Sequence, residues 1–286
     1  MSSSELSSTL THDSFAAIAN EARLDILKAL WSDGDCTFTD LFDLTDLDDT
    51  GQFGYHLNQL LGQFVYKRDD RYTLTNVGRE MVMTVYTHVD GENSLQDPIE
   101  LDISCHSCQG DVLARSRGDW LRIDCSSCEK LYASYPVPRA GLHHHDSAQM
   151  LSVFDQRLRR MNALVHRGIC PNCTCSMVCS VVPDAEPEPG LPFVFMHRCR
   201  HCGMELYTVP ATGLLEHPKV VSFYHENGLE LFDIPHWQLD WMFSGDCIDV
   251  IADSPLEYFI TIEITTDRLI ATLDEEGNVN HVERID

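Results

Sequence analysis

The chain has 286 residues, 45 Asp and Glu against 20 Lys and Arg, and a formal net charge of -25. That length is more than one small core needs and points to two or more domains, and no apolar run approaches the ~20 residues of a membrane span. So acidic a surface, with lysine only at Lys28, Lys67, Lys130 and Lys219, repels nucleic acid at ordinary ionic strength, but at molar salt the Debye length falls to ~3 Å and the repulsion largely disappears.

Residues 1–12 are Ser/Thr-rich and read as a tail. Met1 to Asp13 has neither the basic start nor the apolar stretch of a signal peptide, so a reducing, cytoplasmic location is expected. From Asp13 a helical pattern begins, with Phe15, Ile18, Ala19, Ala22, Ile26, Leu27 and Leu30 on one face, and Asp33-Gly34-Asp35 stops it. A short helix over Thr37 to Leu44 and a turn at Asp46 to Asp49 follow. Asp49 can cap a third helix, with Gln52 three residues on completing a capping box. Phe53, Leu57, Leu60, Leu61 and Phe64 supply its buried side. Val65 to Arg68, a turn at Asp69-Asp70, and Arg71 to Leu74 read as a hairpin, and Thr75 caps a last helix from Asn76 to His88. Helix, short helix, turn, helix, hairpin, helix over residues 13–91 is the order of a winged helix-turn-helix.

The runs IANEARLDILKAL, FTDLFDLTDLDDTGQFGYHLNQL and RYTLTNVGRE make this segment resemble an ArsR-type winged helix of archaeal transcription regulators. The resemblance implies that the second helix of the pair enters the major groove and that the hairpin follows the backbone. It places Thr50, Gln52, Tyr55 and His56 at base-reading positions and makes Lys67, Arg68 and Arg71 phosphate contacts. It also implies a homodimer on double-stranded DNA, as paired half-sites require. Paired cysteines, which thiophilic-metal sensors of that family carry before the turn, are missing: Phe38 to Asp43 stands there, and Cys36 alone upstream reads as packing.

Eight of the twelve cysteines form four CxxC pairs: Cys105/Cys108, Cys125/Cys128, Cys170/Cys173 and Cys199/Cys202. Gaps of 16 residues (Cys108 to Cys125) and 25 residues (Cys173 to Cys199) suit two zinc ribbons, at 98–138 and 166–210. Four thiolates close a tetrahedron around Zn²⁺ and leave no position for substrate, so two structural ions are expected. Cys175, two residues past Cys173, could replace a partner in the shell, but is expected to fill the knuckle position that glycine often holds, with Cys179 facing inward from the next strand. Between the ribbons, residues 146–165 form a connecting helix, with Met150, Leu151, Phe154, Leu158, Met161 and Val165 at helical spacing. It ends in Arg157, Arg159, Arg160 and Arg167, suited to nucleic acid or to the chain's own carboxylates. His143 to His145 read as a solvated linker, and Pro183 to Pro192 as an exposed acidic loop.

Residues 211–286 read as a small α/β domain. It has helices at Pro218 to Gly228 and Pro235 to Phe243, then three antiparallel strands near Tyr258 to Ile264, Arg268 to Leu273 and Val279 to Arg284. Tyr224, Trp237 and Trp241 are expected in its core. Behind its head the chain resembles haloarchaeal regulators that carry ribbons after an ArsR-like domain. The expected fold is therefore multidomain α+β: a winged helix, two tetrathiolate ribbons and a small C-terminal α/β domain. No paired nucleophile and base, phosphate loop or two-carboxylate motif is present, so no enzyme is expected. The expected function is sequence-specific DNA-binding regulation. The alternatives are an adaptor that binds a transcription-machinery protein and an RNA-associated factor using the ribbons and arginines.

Overall fold

The computed structural model describes residues 16–88, 95, 97–117, 120–183 and 190–285. The expected tail at 1–12, the first turn of the first helix and most of the acidic loop lie outside them. The fold mixes helix with antiparallel sheet and divides into two compact units, Met1–Glu92 and Asn93–Asp286. No helix among the described residues is long and apolar enough to cross a membrane.

In the first unit, α1 (Glu21–Asp33) is followed by β1 (Cys36–Thr37), α2 (Phe38–Asp43), α3 (Thr50–Leu60), β2 (Val65–Arg68), β3 (Arg71–Leu74) and α4 (Asn76–His88). One long helix from Asp13 was expected, but the chain breaks at Asn20. Its backbone is extended and its side chain accepts from the Arg23 amide, starting α1 afresh. Gly34 stops α1 with φ of 77° and donates to the Leu30 carbonyl. Thr37 and Asp40 form a capping box on α2. Asp49 caps α3, accepting from the Gln52 amide at 2.6 Å. Two residues as short as β1 carry no periodic signal, yet they pair with β3 and give a sheet of order β1-β3-β2.

The helices close on one core of Ile26, Leu27, Leu41, Phe53, Leu57 and Leu60, with Cys36 buried in it. Each such side chain, fully buried, contributes roughly 1.5–3 kcal/mol. Gly78 sits where α4 crosses the chain at Phe64: a Cβ there would lie 2.2 Å from the Phe64 carbonyl oxygen. Thr75 holds that crossing, donating to the Gln63 carbonyl and accepting from the Gly78 amide.

The second unit begins with a four-stranded meander, β4 (Ile99–Ser104), β5 (Asp111–Arg117), β6 (Trp120–Cys125) and β7 (Leu131–Pro136). The short α5 (Arg139–His144) takes in part of the expected histidine linker. The long α6 (Ser147–His166) is capped by Asp146. Next come β8 (Met177–Pro183), β9 (Phe193–Cys199) and β10 (Glu205–Thr208), ordered β10-β9-β8. A 3-10 turn (Pro210–Leu214) leads to α7 (Pro218–Glu226). The expected second helix is split: a 3-10 turn (His236–Gln238) and α8 (Asp240–Phe243) are separated by Leu239, which is extended and buried. Four strands close the chain rather than three: β11 (Ile248–Asp253), β12 (Leu256–Ile264), β13 (Asp267–Asp274) and β14 (Val279–Ile285). The unanticipated β11 is an edge strand and mostly exposed, so its sequence lacks a clean apolar alternation.

Residues expected to belong to four separate modules share one core. Leu121 and Ile123 of β6, Phe154 and Leu158 of α6, Phe195 of β9, Trp237, and Tyr258 of β12 lie in a single buried cluster. The Tyr258 hydroxyl donates to the Pro210 carbonyl at 3.0 Å, and Trp241 Nε1 donates to the Tyr224 hydroxyl at 2.8 Å.

Candidate metal centres and nucleic-acid interface

The four CxxC turns repeat one backbone device. In each, the amide just past the second cysteine donates to the carbonyl of the first: Gln109 to Cys105, Glu129 to Cys125, Thr174 to Cys170 and Gly203 to Cys199. Each of these donors has φ between 59° and 76°, in the left-handed region. The amide of the first cysteine then donates to the carbonyl one residue further on, in Gly110, Lys130, Cys175 and Met204. Cys175 therefore closes its knuckle, and the left-handed position belongs to Thr174. A Cβ at Gly110 would stand 2.6 Å from Ser127 Oγ and 3.0 Å from Ser127 Cβ, so a side chain there would force Ser127 to move. The device points both sulfurs of each turn to one spot.

Cys105, Cys108, Cys125 and Cys128 converge in one group, and Cys170, Cys173, Cys199 and Cys202 in another, with all sulfurs of a group within 4.8 Å of one another. Across the paired turns, the Sγ atoms of Cys105 and Cys128 are 3.6 Å apart and those of Cys108 and Cys125 are 3.4 Å apart. In the second group, Cys170 and Cys202 are 3.6 Å apart and Cys173 and Cys199 are 3.5 Å apart. A disulfide would need ~2.05 Å, whereas a tetrahedron of Zn–S bonds of ~2.3 Å sets sulfurs ~3.8 Å apart. The donor set and its spacing fit a tetrathiolate metal ion. Cys36, Cys175, Cys179 and Cys247 stand outside both groups, and Cys179 packs against the core as expected.

The protonation of these thiols is uneven. Burial pushes the Cys105 thiol up, yet the Tyr132 hydroxyl, the Ser107 and Cys108 amides and Cys128 outweigh it and bring it down to about 6. The Cys202 amide, ahead of the other influences, brings Cys199 down to about 6. The Lys130 amide favours a thiolate at Cys128, but burial and the three neighbouring thiols push it up to about 12. Neighbouring thiols thus raise the pKa of a thiol within each group, a conflict that a dication relieves by deprotonating them all. In each turn the first cysteine is buried, while Cys108, Cys128 and Cys202 are exposed and Cys173 is half-buried.

Lys130 and Tyr132 escape a cysteine-centred reading. Lys130 is 1% exposed, and its ammonium donates to the Phe243 carbonyl at 2.6 Å, tying the knuckle to α8. The Tyr132 hydroxyl accepts from the His106 amide at 3.0 Å. Of the arginine cluster, Arg159 turns inward: it is 3% exposed and donates from Nε to Asp155 Oδ2 at 2.7 Å. Arg160 and Arg167 stay exposed and pair with Glu216. The i,i+4 spacing of Asp155 and Arg159 was the available signal for the buried pair.

In the first unit, Thr50, Gln52 and Tyr55 are exposed along α3. His56 is not with them. Three residues after Phe53, it falls on the apolar face and is only 8% exposed, which removes it from the base-reading set. On the hairpin, Lys67 and Arg68 are exposed, with the Lys67 ammonium 5.2 Å from the centre of the Tyr72 ring. Arg71 is also exposed, and one nitrogen of its guanidinium donates to the Asp35 carbonyl, tying β3 to the loop after α1.

No curated protein and no solved structure matches the chain. Residues 11–85 match the family model described as Domain of unknown function (DUF7347). Residues 102–279 match the one described as Domain of unknown function (DUF7351). The second match takes in both sulfur groups and covers more than half of the 286 residues, so the chain belongs to the family described as Domain of unknown function (DUF7351).

Proposed function

We propose that this chain is a sequence-specific DNA-binding transcription regulator. Its first unit would be a winged helix-turn-helix of ArsR type, and its two tetracysteine groups would each hold a structural zinc ion. The observation that carries the reading is the composition of α3. Its sequence, TGQFGYHLNQL, contains no carboxylate, while α1, α2 and α4 each contain at least one. In a chain of net charge -25, a helix whose outer face is Thr50, Gln52, Tyr55, Asn58 and Gln59 suits approach to a polyanion. Exposed Lys67 and Arg68 on the neighbouring hairpin add charge where a wing meets the backbone.

Concentrated salt weakens phosphate contacts through counterion release. Hydrogen bonds from Gln52 or Thr50 to base edges are far less screened, so an uncharged reading face is the better device there. The zincs would act as staples: four sulfurs occupy every tetrahedral position, and no site remains for a water or substrate.

The test is duplex selection from a random pool with the full, zinc-loaded chain in molar KCl. Recovery of a discrete site is expected, with Gln52→Ala changing the preferred base and Lys67→Ala weakening all sequences alike while reducing the salt slope by ~1. Retention of no duplex, or equal effects of both variants on every sequence, would overturn the reading.

A further inference from the structure

The second unit contains a cavity of about 590 Å³ between β7, β9, β10, α6 and the segment from His236 to Phe243. That volume is in the range of small-molecule sites, ~300–1,000 Å³. Ala133, Leu158, Val194, Met242 and Phe243 form apolar walls, and Trp120 and Tyr207 line it as well. Those two aromatics are 46% and 53% exposed, which puts them at the mouth. Exposed aromatics over an apolar pocket favour a flat ring inserted between them.

Among the polar side chains of the wall, Ser134, Tyr135, Asn162, Thr208, Thr212 and His236, the last is a buried imidazole. His236 is 4% exposed, and its Nδ1 lies 2.5 Å from Asp155 Oδ1. Asp155 also accepts from the His236 amide at 2.8 Å and from Arg159 Nε at 2.7 Å, so its carboxylate is an acceptor on every side. The ring bond therefore runs from Nδ1–H to Asp155, and the uncharged ring presents Nε2 as an acceptor. It has no hydrogen-bond partner among the described residues, although Thr208 and Thr212, the other buried polar groups of the wall, are spent on His197 and the Val209 carbonyl. No lysine or arginine lines the cavity, and its one carboxylate, Glu205, is half satisfied by Arg198 at 3.3 Å.

We infer that this cavity binds an uncharged planar aromatic compound carrying a hydroxyl or ring N–H, which donates to His236 Nε2 while the ring fills the space between the apolar walls and Trp120. Anionic aromatics are disfavoured, since no cation on the wall receives them and the chain is strongly negative. The inference concerns the second unit alone and stands apart from DNA binding.

Calorimetric titration of the full, metal-loaded chain in molar KCl tests it without nucleic acid present. The probes are 2-naphthol, 2-methoxynaphthalene, which lacks the donor, and naphthalene-2-sulfonate. The expected result is saturation by 2-naphthol at one per chain, with binding about tenfold weaker for the methoxy compound and weaker still for the sulfonate. Ser134→Trp, at a half-buried position on the wall, should abolish binding with an unchanged melting profile. If that variant fails to fold, the probe series alone decides. Absence of saturable 2-naphthol binding, equal affinity for 2-naphthol and 2-methoxynaphthalene, or full binding by a folded Ser134→Trp chain would overturn the inference.

Discussion

Cys125→Ser removes one of four sulfurs from the first metal group, at a residue that is 1% exposed and whose amide donates to the Lys130 carbonyl. Structural zinc contributes ~10–16 kcal/mol to small metal-dependent folds, and a whole domain keeps only ~5–15 kcal/mol of net stability. Losing half of the metal's contribution would therefore consume most of the margin. The damage should not stop at the meander β4–β7. Val112, Leu121 and Ile123 of that sheet share one core with Phe193, Trp237 and Tyr258, and Lys130 binds α8 through the Phe243 carbonyl. Residues Asn93–Asp286 should lose their structure together, while Met1–Glu92, with a core of its own, keeps its transition. Differential scanning calorimetry of the full chain would follow the two transitions, and native mass spectrometry would count the ions, expected to fall from two to one. Two results would refute the reasoning: retention of both ions with an unshifted transition, or melting of the first ribbon alone while near-ultraviolet dichroism from Trp237 and Trp241 stays native.

Asp155→Ala should cost about 3–5 kcal/mol in urea unfolding, because it strands a guanidinium that is 2% exposed; replacing Asp155 and Arg159 together by apolar residues should cost less than the single change. Burial brings His166 down to about 4 from 6.5, so the unfolded chain binds its proton first. Its share of stability is complete above pH ~6.5 and is lost as pH falls toward ~4, about 3 kcal/mol at 1.36 kcal/mol per unit. His166→Asn should flatten the pH dependence of unfolding by that amount, and identical slopes for the two chains would contradict it. Gly78→Ala drives a methyl group to 2.2 Å from the Phe64 carbonyl, an overpacking that should destabilise the first unit by ~3 kcal/mol or more and leave the melting of the second unit unmoved.

The parts of this molecule that were legible in the sequence rest on signals a few residues long. Asp49 before Gln52, Asp33-Gly34-Asp35 after Leu30 and the two cysteines of each CxxC act within one turn of backbone. Those local geometries survive in the structure: Asp49 caps α3 and Gly34 stops α1, and the eight sulfurs meet in the two expected groups. Short or weakly patterned elements such as β1 and β11 were not legible, because their partners rather than their composition make them strands.

Which residues share a core is a different kind of fact. Asp155 meets His236 across 81 positions and Lys130 meets Phe243 across 113, and no local pattern encodes such distances. The same holds for His56 and Arg71, polar in sequence yet turned to the core and to the Asp35 carbonyl. Sequence by itself determined the CxxC turns and the Asp49 cap, since each is set by chain stiffness over three or four residues. Only the tertiary structure decided that the two cysteine-bearing sheets, α6 and the C-terminal strands share one core, because burying apolar surface requires partners that the chain brings together only when it folds.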